Sequence, residues 1–449
     1  PEVITADLNR NIQECESRLA KPKSEDPVVE MTDKDRKEAE RFGRQPDLLD
    51  LIAKDFEKSG YIGEKSNVLL AYLAMTSRKM QNALALLILS GSGAGKSALQ
   101  DTALSFCPPE DLIKLTSVTA RALFYKNETS LKHKVLALEE VTGAEHAAYA
   151  IRSLISAGVL IIETTAKDAV TGKLATVQNR VYGPTAVFQT TTNPELDPET
   201  RSRFIVTSID ESAGQTKAIL HAQRNARTLE GFQLKAQREG LLQRHHAFQR
   251  LLRPLEVVNP YGKLLTYTDD RLMTRRDHPK YLDLIEAIAF IRQFQKPVRQ
   301  FAAGEKTVDY IEVSLRDITL ANELAREILG RSLDELNGPS RALLLLIEKM
   351  TREMAKKQHV EDAALTFTRR ELREYTRWSD YQVRMHMAQL EDLEYIVPSS
   401  GRFGQRYRYR LLWHGEGSDG GRFMLDLKPI GQLTKEAALL GIADQVQNL

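Results

Sequence analysis

Apolar positions in residues 46–80 recur every three or four residues, and the repeat breaks at residues 60–63. This predicts two amphipathic helices separated by a glycine turn. From 84 to 209 the pattern becomes short apolar runs alternating with helical stretches, as expected of an α/β unit. Residues 215–253 read as one long helical stretch rich in Gln, Arg and His, and 280–296 and 315–329 as further amphipathic helices. After "NGPS" (337–340) the character changes again: two helices, a third, then a hairpin. The divisions that follow are a charged arm (1–45), an α/β core with its leading helices and long helical connection (46–255) and a helical lid (256–336). A C-terminal module (337–414) and a weakly patterned tail (415–449) complete the chain. No internal repeat is visible.

At 449 residues the chain exceeds what one hydrophobic core can organise. Charged residues make up 28% and the hydrophobic set 42%, a globular composition. The net charge of +2 gives no whole-molecule field to attract nucleic acid, so any such affinity must come from local patches. The two cysteines, Cys15 and Cys107, have no metal-like spacing, which points to a reducing compartment without disulfides or a zinc site. With no run of 18 apolar residues and no signal peptide, no membrane association and a cytoplasmic location are expected. The start at Pro1 is what a piece of a longer protein would show.

The most informative stretch is "LSGSGAGKSALQ" (89–100). A strand-like run, Leu86-Leu87-Ile88-Leu89, precedes it and a helix-forming run follows. In that setting Ser92-Gly93-Ala94-Gly95-Lys96-Ser97 fits a phosphate-binding loop. The glycines allow successive N–H groups to face phosphate, Lys96 reaches the terminal phosphates, and the Ser97 hydroxyl holds Mg²⁺. The first glycine of the usual motif is Ser90 here. Next, Val135-Leu136-Ala137-Leu138 runs into Glu139-Glu140. An apolar strand ending in two carboxylates suits hydrolysis, with Glu139 organising Mg²⁺ and Glu140 polarising the attacking water. A third strand, "TAVFQTTTN", leads to Asn193, placed to orient that water. Arg201 and Arg203 follow, with no acidic partner evident nearby. They suit an arginine finger reaching a neighbouring subunit's nucleotide, Arg203 ahead of Arg201.

The order GAGKS, LALEE, TTTN, SRF resembles an AAA+ ATPase. Before the third strand, residues 158–167 and 173–181 read as two strands around Thr171-Gly172. A hairpin in that position resembles the pre-sensor hairpin of the AAA+ branch that includes MCM-type replicative helicases. That resemblance implies a pore-facing lysine, for which Lys173 and Lys167 are the candidates. "SLRDITLANELAREIL" resembles the MCM lid helix, implying that Arg316 contacts nucleotide across a subunit boundary. The layout is similar to helicase modules of plasmids and mobile elements. It departs in having no long insertion after the phosphate-loop helix and no zinc-binding N-terminal domain.

In the C-terminal module, three helices and a Gly/Ser-tipped hairpin make a winged helix-turn-helix. Nine arginines stand against six carboxylates between residues 366 and 413. Arg402, Arg406, Arg408 and Arg410 lie on the wing, the last three alternating with Tyr407 and Tyr409 as phosphate contacts would, while Arg384 and Gln382 lie on the recognition helix. The His245-His246 pair has no partner at ligand spacing and is not read as a metal site.

Two functions are expected from this. The first is a ring-forming, ATP- and Mg²⁺-dependent DNA helicase, hexameric because each site needs a neighbour, with a single strand in its pore. The alternative is an AAA+ DNA-binding regulator or loader that remodels a protein partner.

Overall fold

The computed structural model describes residues 31–119, 121–139, 144–167, 174–193, 196–267, 274–304, 306–333, 338–358, 365–392, 395–400, 407–413 and 426–442. Among these residues, three helices come first: α1 (Asp33–Gly43), α2 (Leu48–Lys58) and α3 (Lys65–Thr76). Thr32 caps α1 by accepting the Asp35 N–H at 3.2 Å. In α3, residues 67–76 are all buried, so this helix, apolar nearly all round, stands inside the molecule.

The α/β region holds strands β1 (Ala85–Leu89), β2 (Leu112–Leu115), β3 (Lys134–Leu138), β4 (Val159–Lys167), β5 (Leu174–Tyr182), β6 (Thr185–Thr191) and β7 (Ile205–Thr207). Five of them form one sheet in the order β2-β3-β6-β1-β7, every neighbouring pair parallel. Strands β4 and β5 pair antiparallel with each other as a separate hairpin. The runs of β1 and β3 are continuously apolar because the sheet is covered on both sides. Leu86 and Ile88 join a core shared with α3 and with α4 (Lys96–Ser105). Ala85 and Leu87 face a second core built on α5 (Ala144–Ala157).

The long helical stretch is two helices, α6 (Ala213–Asn225) and α7 (Leu229–Leu251), because Thr228 interrupts it and caps α7 by accepting the Gly231 N–H at 3.3 Å. Glycine is needed at 231, where a Cβ would stand 2.4 Å from the Asn225 carbonyl oxygen. No residue of α6 is buried, and α7 is buried only near its end, at His245, Ala247, Phe248 and Gln249. The pair forms an arm rooted in the body at one end. At that root a closed polar network joins three helices. His245, wholly buried, faces the Tyr72 hydroxyl through Nδ1 at 2.8 Å and Asp55 through Nε2 at 3.1 Å. Lys58, at 2.9 Å, and Arg244 complete the shell around Asp55.

Residues 256–333 carry β8 (Glu256–Val258), α8 (Thr274–Ile291), β9 (Arg299–Ala303), β10 (Lys306–Glu312) and α9 (Leu315–Leu333). The expectation of an all-helical segment is corrected by the small sheet β8-β10-β9. Its β9–β10 hairpin turns at Gly304, where φ is +63°. Helices α8 and α9 contribute to the same core as α3 and α4.

The C-terminal module has α10 (Gly338–Gln358), β11 (Thr366–Phe367), α11 (Arg369–Thr376), α12 (Asp380–Asp392), β12 (Ile396–Ser400) and β13 (Arg408–Leu411). Its antiparallel sheet runs β11-β13-β12 over a separate core that includes Leu343, Phe367, Leu390 and Tyr409. Ser379 and Gln382 cap α12 reciprocally, at 3.1 and 3.3 Å. The tail, weakly patterned in sequence, contributes α13 (Ile430–Leu439), which buries Leu433 and Ala437 in the first core. No helix among the described residues is long and apolar enough to cross a membrane.

Candidate functional site

Strand β1 leaves the sheet at Leu89 and the chain turns through residues 90–95 into α4. Gly93 and Gly95 have φ of +78° and +107°, a region that side chains other than glycine's rarely adopt. The N-cap of α4 is Gly95 and no side chain caps the helix. Its first-turn N–H groups and the positive end of its dipole therefore suit an anion. Lys96, 8% exposed, folds back over the loop, its ammonium donating to the Ser90 and Gly91 carbonyls at 3.0 and 2.8 Å. Ser97 is exposed on the first turn.

The register of the parallel strands gathers the motifs at one edge. Leu89 of β1 pairs with Thr191 of β6, and Leu138 of β3 pairs with Gln189. The phosphate loop, Glu139 and Thr191–Asn193 thus leave adjacent strands at their C-terminal ends, where open α/β sheets bind ligands. The strand β6 stops at Thr191, two residues before Asn193. Asn193 is exposed, and its N–H donates to Thr191 Oγ1 at 3.1 Å.

The Glu139 carboxylate lies 2.7 Å from the ammonium of Lys114 on β2, which also meets Asp101 of α4 at 2.8 Å. Hydrogen bonds from Lys114 to Asp101 and Glu139 raise its pKa and hold it charged. Asp101 lies four residues beyond Ser97, on the same face of α4. Lys114 thus links Glu139 to the helix that carries Ser97, and a carboxylate with a hydroxyl supplies oxygen donors of the kind a hard divalent cation takes.

Beyond β6, Asp197 caps a single helical turn at Pro198–Arg201, accepting from the Thr200 hydroxyl at 2.7 Å and N–H at 3.0 Å. That turn corrects the expectation that Arg203 lacks an acidic neighbour. It places Glu199 four residues back, where its carboxylate is 3.1 Å from the Arg203 guanidinium. Arg203 also donates to Ser156 Oγ at 2.7 Å and to the Glu199 carbonyl at 2.6 Å. Arg201 is half-buried, and burial pulls its pKa down. Arg316 is exposed on the first turn of α9 and donates to the Pro46 carbonyl at 2.8 Å, so it is tied to the start of α2 and not to the phosphate loop.

Lys167 ends β4 opposite Leu174. Glu140, Lys173, Arg402 and Arg406 lie outside the described residues. Arg384 is exposed on α12. Arg408, by contrast, is engaged within the fold, donating to Thr366 Oγ1 and carbonyl, each at 2.8 Å.

Three contacts at this edge were not legible in the sequence: Lys114 on Glu139, the Ser90 hydroxyl accepting the Ile209 N–H at 2.7 Å, and the Glu211 carboxylate accepting the Gly91 N–H at 3.0 Å. The serine in place of the motif's first glycine was the one available signal.

Residues 32–252 match the family described as MTBMA_p00010 P-loop domain. No curated protein matches the chain. The matched stretch spans α1 to α7 and contains every element that leads to the loop at 90–97. The chain therefore carries a P-loop NTPase domain, whose general property is to bind nucleotide with Mg²⁺.

Proposed function

We propose that the chain is an ATP-driven DNA helicase of the AAA+ type, assembled as a ring and resembling the MCM-like helicases of mobile elements. The observation that carries this reading is the strand order β2-β3-β6-β1-β7. It inserts the strand that leads to Asn193 between the phosphate-loop strand and the acidic strand, and the β4–β5 hairpin immediately precedes that strand. A small-molecule kinase has no use for such a hairpin or for arginines beyond the third strand.

In this reading the loop 92–97 holds the ATP phosphates, Ser97 and Glu139 hold Mg²⁺, and the ion supplies charge neutralisation on the β- and γ-phosphates. Glu140 polarises the attacking water and Asn193 orients it. Arg203, Arg201 and Arg316 serve the nucleotide of the adjacent subunit, Arg203 after exchanging Glu199 for phosphate. A ring, expected to be a hexamer, follows from sites completed by neighbours. Lys173 and Lys167 at the hairpin grip one DNA strand in the pore. The C-terminal module serves as a winged helix on duplex or forked DNA, with Arg384, Arg402 and Arg406 as phosphate contacts.

Forked-DNA unwinding tests the reading. Wild-type protein is expected to unwind with ATP and Mg²⁺, and Lys173→Ala to retain nucleotide binding while losing unwinding. DNA binding without unwinding by the wild type favours the regulator or loader; unwinding by Lys173→Ala removes the pore assignment.

A further inference from the structure

The chain leaving β7 is fastened to the phosphate loop on one side and to the α2–α3 turn on the other. Ser90 Oγ accepts the Ile209 N–H at 2.7 Å, and Glu211 accepts the Gly91 N–H at 3.0 Å. A Cβ at Gly91 would stand 3.3 Å from the Glu211 carboxylate, so glycine lets the two approach. On the other side, Glu64 accepts the Asp210 N–H at 2.7 Å, and Gln215 donates to the Ile62 carbonyl at 2.6 Å. Ser212, next after Glu211, caps α6 by accepting the Gln215 N–H at 3.2 Å.

These ties end where the exposed arm begins. Helix α6 buries none of its residues, and Leu220, Leu229, Phe232 and Leu234 of the arm are 48–75% exposed. The root of α6 is thus held by the loop at residues 90–91, while its length has little of the body to hold it.

Lys96 makes those same two residues sensitive to nucleotide. Its ammonium donates to the carbonyls of Ser90 and Gly91, the residues whose hydroxyl and N–H hold Ile209 and Glu211. Phosphate in the loop draws Lys96 away from both carbonyls. It also brings negative charge toward Glu211, which loosens that carboxylate's hold on the loop.

We infer that Ser90 and Glu211 are positioning residues that relay the state of the phosphate loop to the α6–α7 arm; this rests on the nucleotide reading given above. It explains the serine at position 90, since glycine offers no hydroxyl to the Ile209 N–H.

Hydrogen–deuterium exchange of the full chain, with and without an ATP analogue and Mg²⁺, tests the relay. In the wild type, exchange of residues 213–225 is expected to change at least about threefold on nucleotide addition. Ser90→Gly, which restores the usual motif, is expected to bind nucleotide yet lose that response; Ser90→Ala provides the same test with a stiffer backbone. Glu211→Gln keeps an acceptor without the charge and is expected to show a diminished response. A merely structural tie would instead shift exchange equally with and without nucleotide. A full response in both Ser90 variants, or nucleotide binding by the wild type with no change in 213–225, overturns the relay. Failure of the wild type to bind nucleotide at all overturns the site assignment itself.

Discussion

Replacing Asp55 by Ala tests what anchors the root of the arm. The residue is 1% exposed and meets Lys58, Arg244 and His245. The Lys58 side chain is 58% exposed, so that pair contributes only about 0.3 kcal/mol. His245 is fully buried; the Asp55 carboxylate can only accept, so Nε2–H donates to it and Nδ1 is left to accept from the Tyr72 hydroxyl. Stranding that donor costs roughly 1–3 kcal/mol. With Arg244 also left uncompensated, the total is about 3–4 kcal/mol, the range for removing one partner of a buried ion pair. Both tryptophans, Trp378 and Trp413, belong to the C-terminal module, so their fluorescence reports a different core from far-UV circular dichroism. Urea unfolding followed both ways should show the circular-dichroism midpoint falling by about 1 M, for a slope near 3 kcal/mol per M, while the tryptophan transition stays in place. A loss below about 1 kcal/mol, or equal movement of both probes, would refute the network's role. In the wild type the same network is lost in acid. Burial drops the His245 pKa from 6.5 to about 4, so stability present above pH 6.5 falls as pH descends toward 4. Burial alone would raise the Asp55 pKa, but hydrogen bonds from His245 and Lys58 outweigh it and hold it near 2, adding a second loss below pH 4.

Lys96→Ala should weaken ATP binding by roughly 10- to 100-fold, the value of charge-assisted hydrogen bonds to phosphate. Calorimetric titration showing unchanged affinity would remove the loop as the site. Burial raises Asp283 to about 6, and burial with the charges of Asp283 and Glu256 raises Glu286 to about 7. Both carboxyls are neutral in the folded state at low pH, and the stability present below their unfolded values near 4 is lost as pH rises from there through the folded values of about 6 and 7. Asp283→Asn should therefore raise the melting temperature at pH 8 but not at pH 4, a gain of about 1–2 kcal/mol; equal melting at pH 8 contradicts this. If Arg203 serves a neighbouring nucleotide, Arg203→Ala and Lys96→Ala proteins, each inactive, should recover ATPase activity on mixing, because mixed boundaries contain one intact site. A mixture as inactive as its components would count against the finger.

The parts of the fold legible in the sequence were those whose periodicity comes from burial. Leu86-Leu87-Ile88 reads as a strand because both its faces are covered, and the α2–α3 pair reads as helices because glycines mark the break between them. The small sheet at β8, β9 and β10 was missed because its strands are only three, five and seven residues long, and β9 is largely exposed. At the candidate site, the turn through Gly93 and Gly95 was legible because positive φ restricts those positions to glycine. Lys114 was not: it lies 25 residues from Glu139, and only the parallel pairing of β2 with β3 brings them together. Arg203's attachment to Glu199 depends on one short helical turn, set by Asp197 accepting from Thr200, which has no apolar repeat to announce it.

The hairpin of β4 and β5 is bonded to the rest of the molecule over its lower half, where the Tyr182 N–H meets the Glu128 carbonyl at 2.8 Å, the Asn179 amide donates to the Phe124 and Lys126 carbonyls, and Leu160 and Val181 join the second core. Residues can therefore be added to or removed from its far end in matched pairs without shifting any register in the five-stranded sheet. The length of the hairpin is thus set independently of the sheet, and its outer strand pairs offer a place to graft a spectroscopic label.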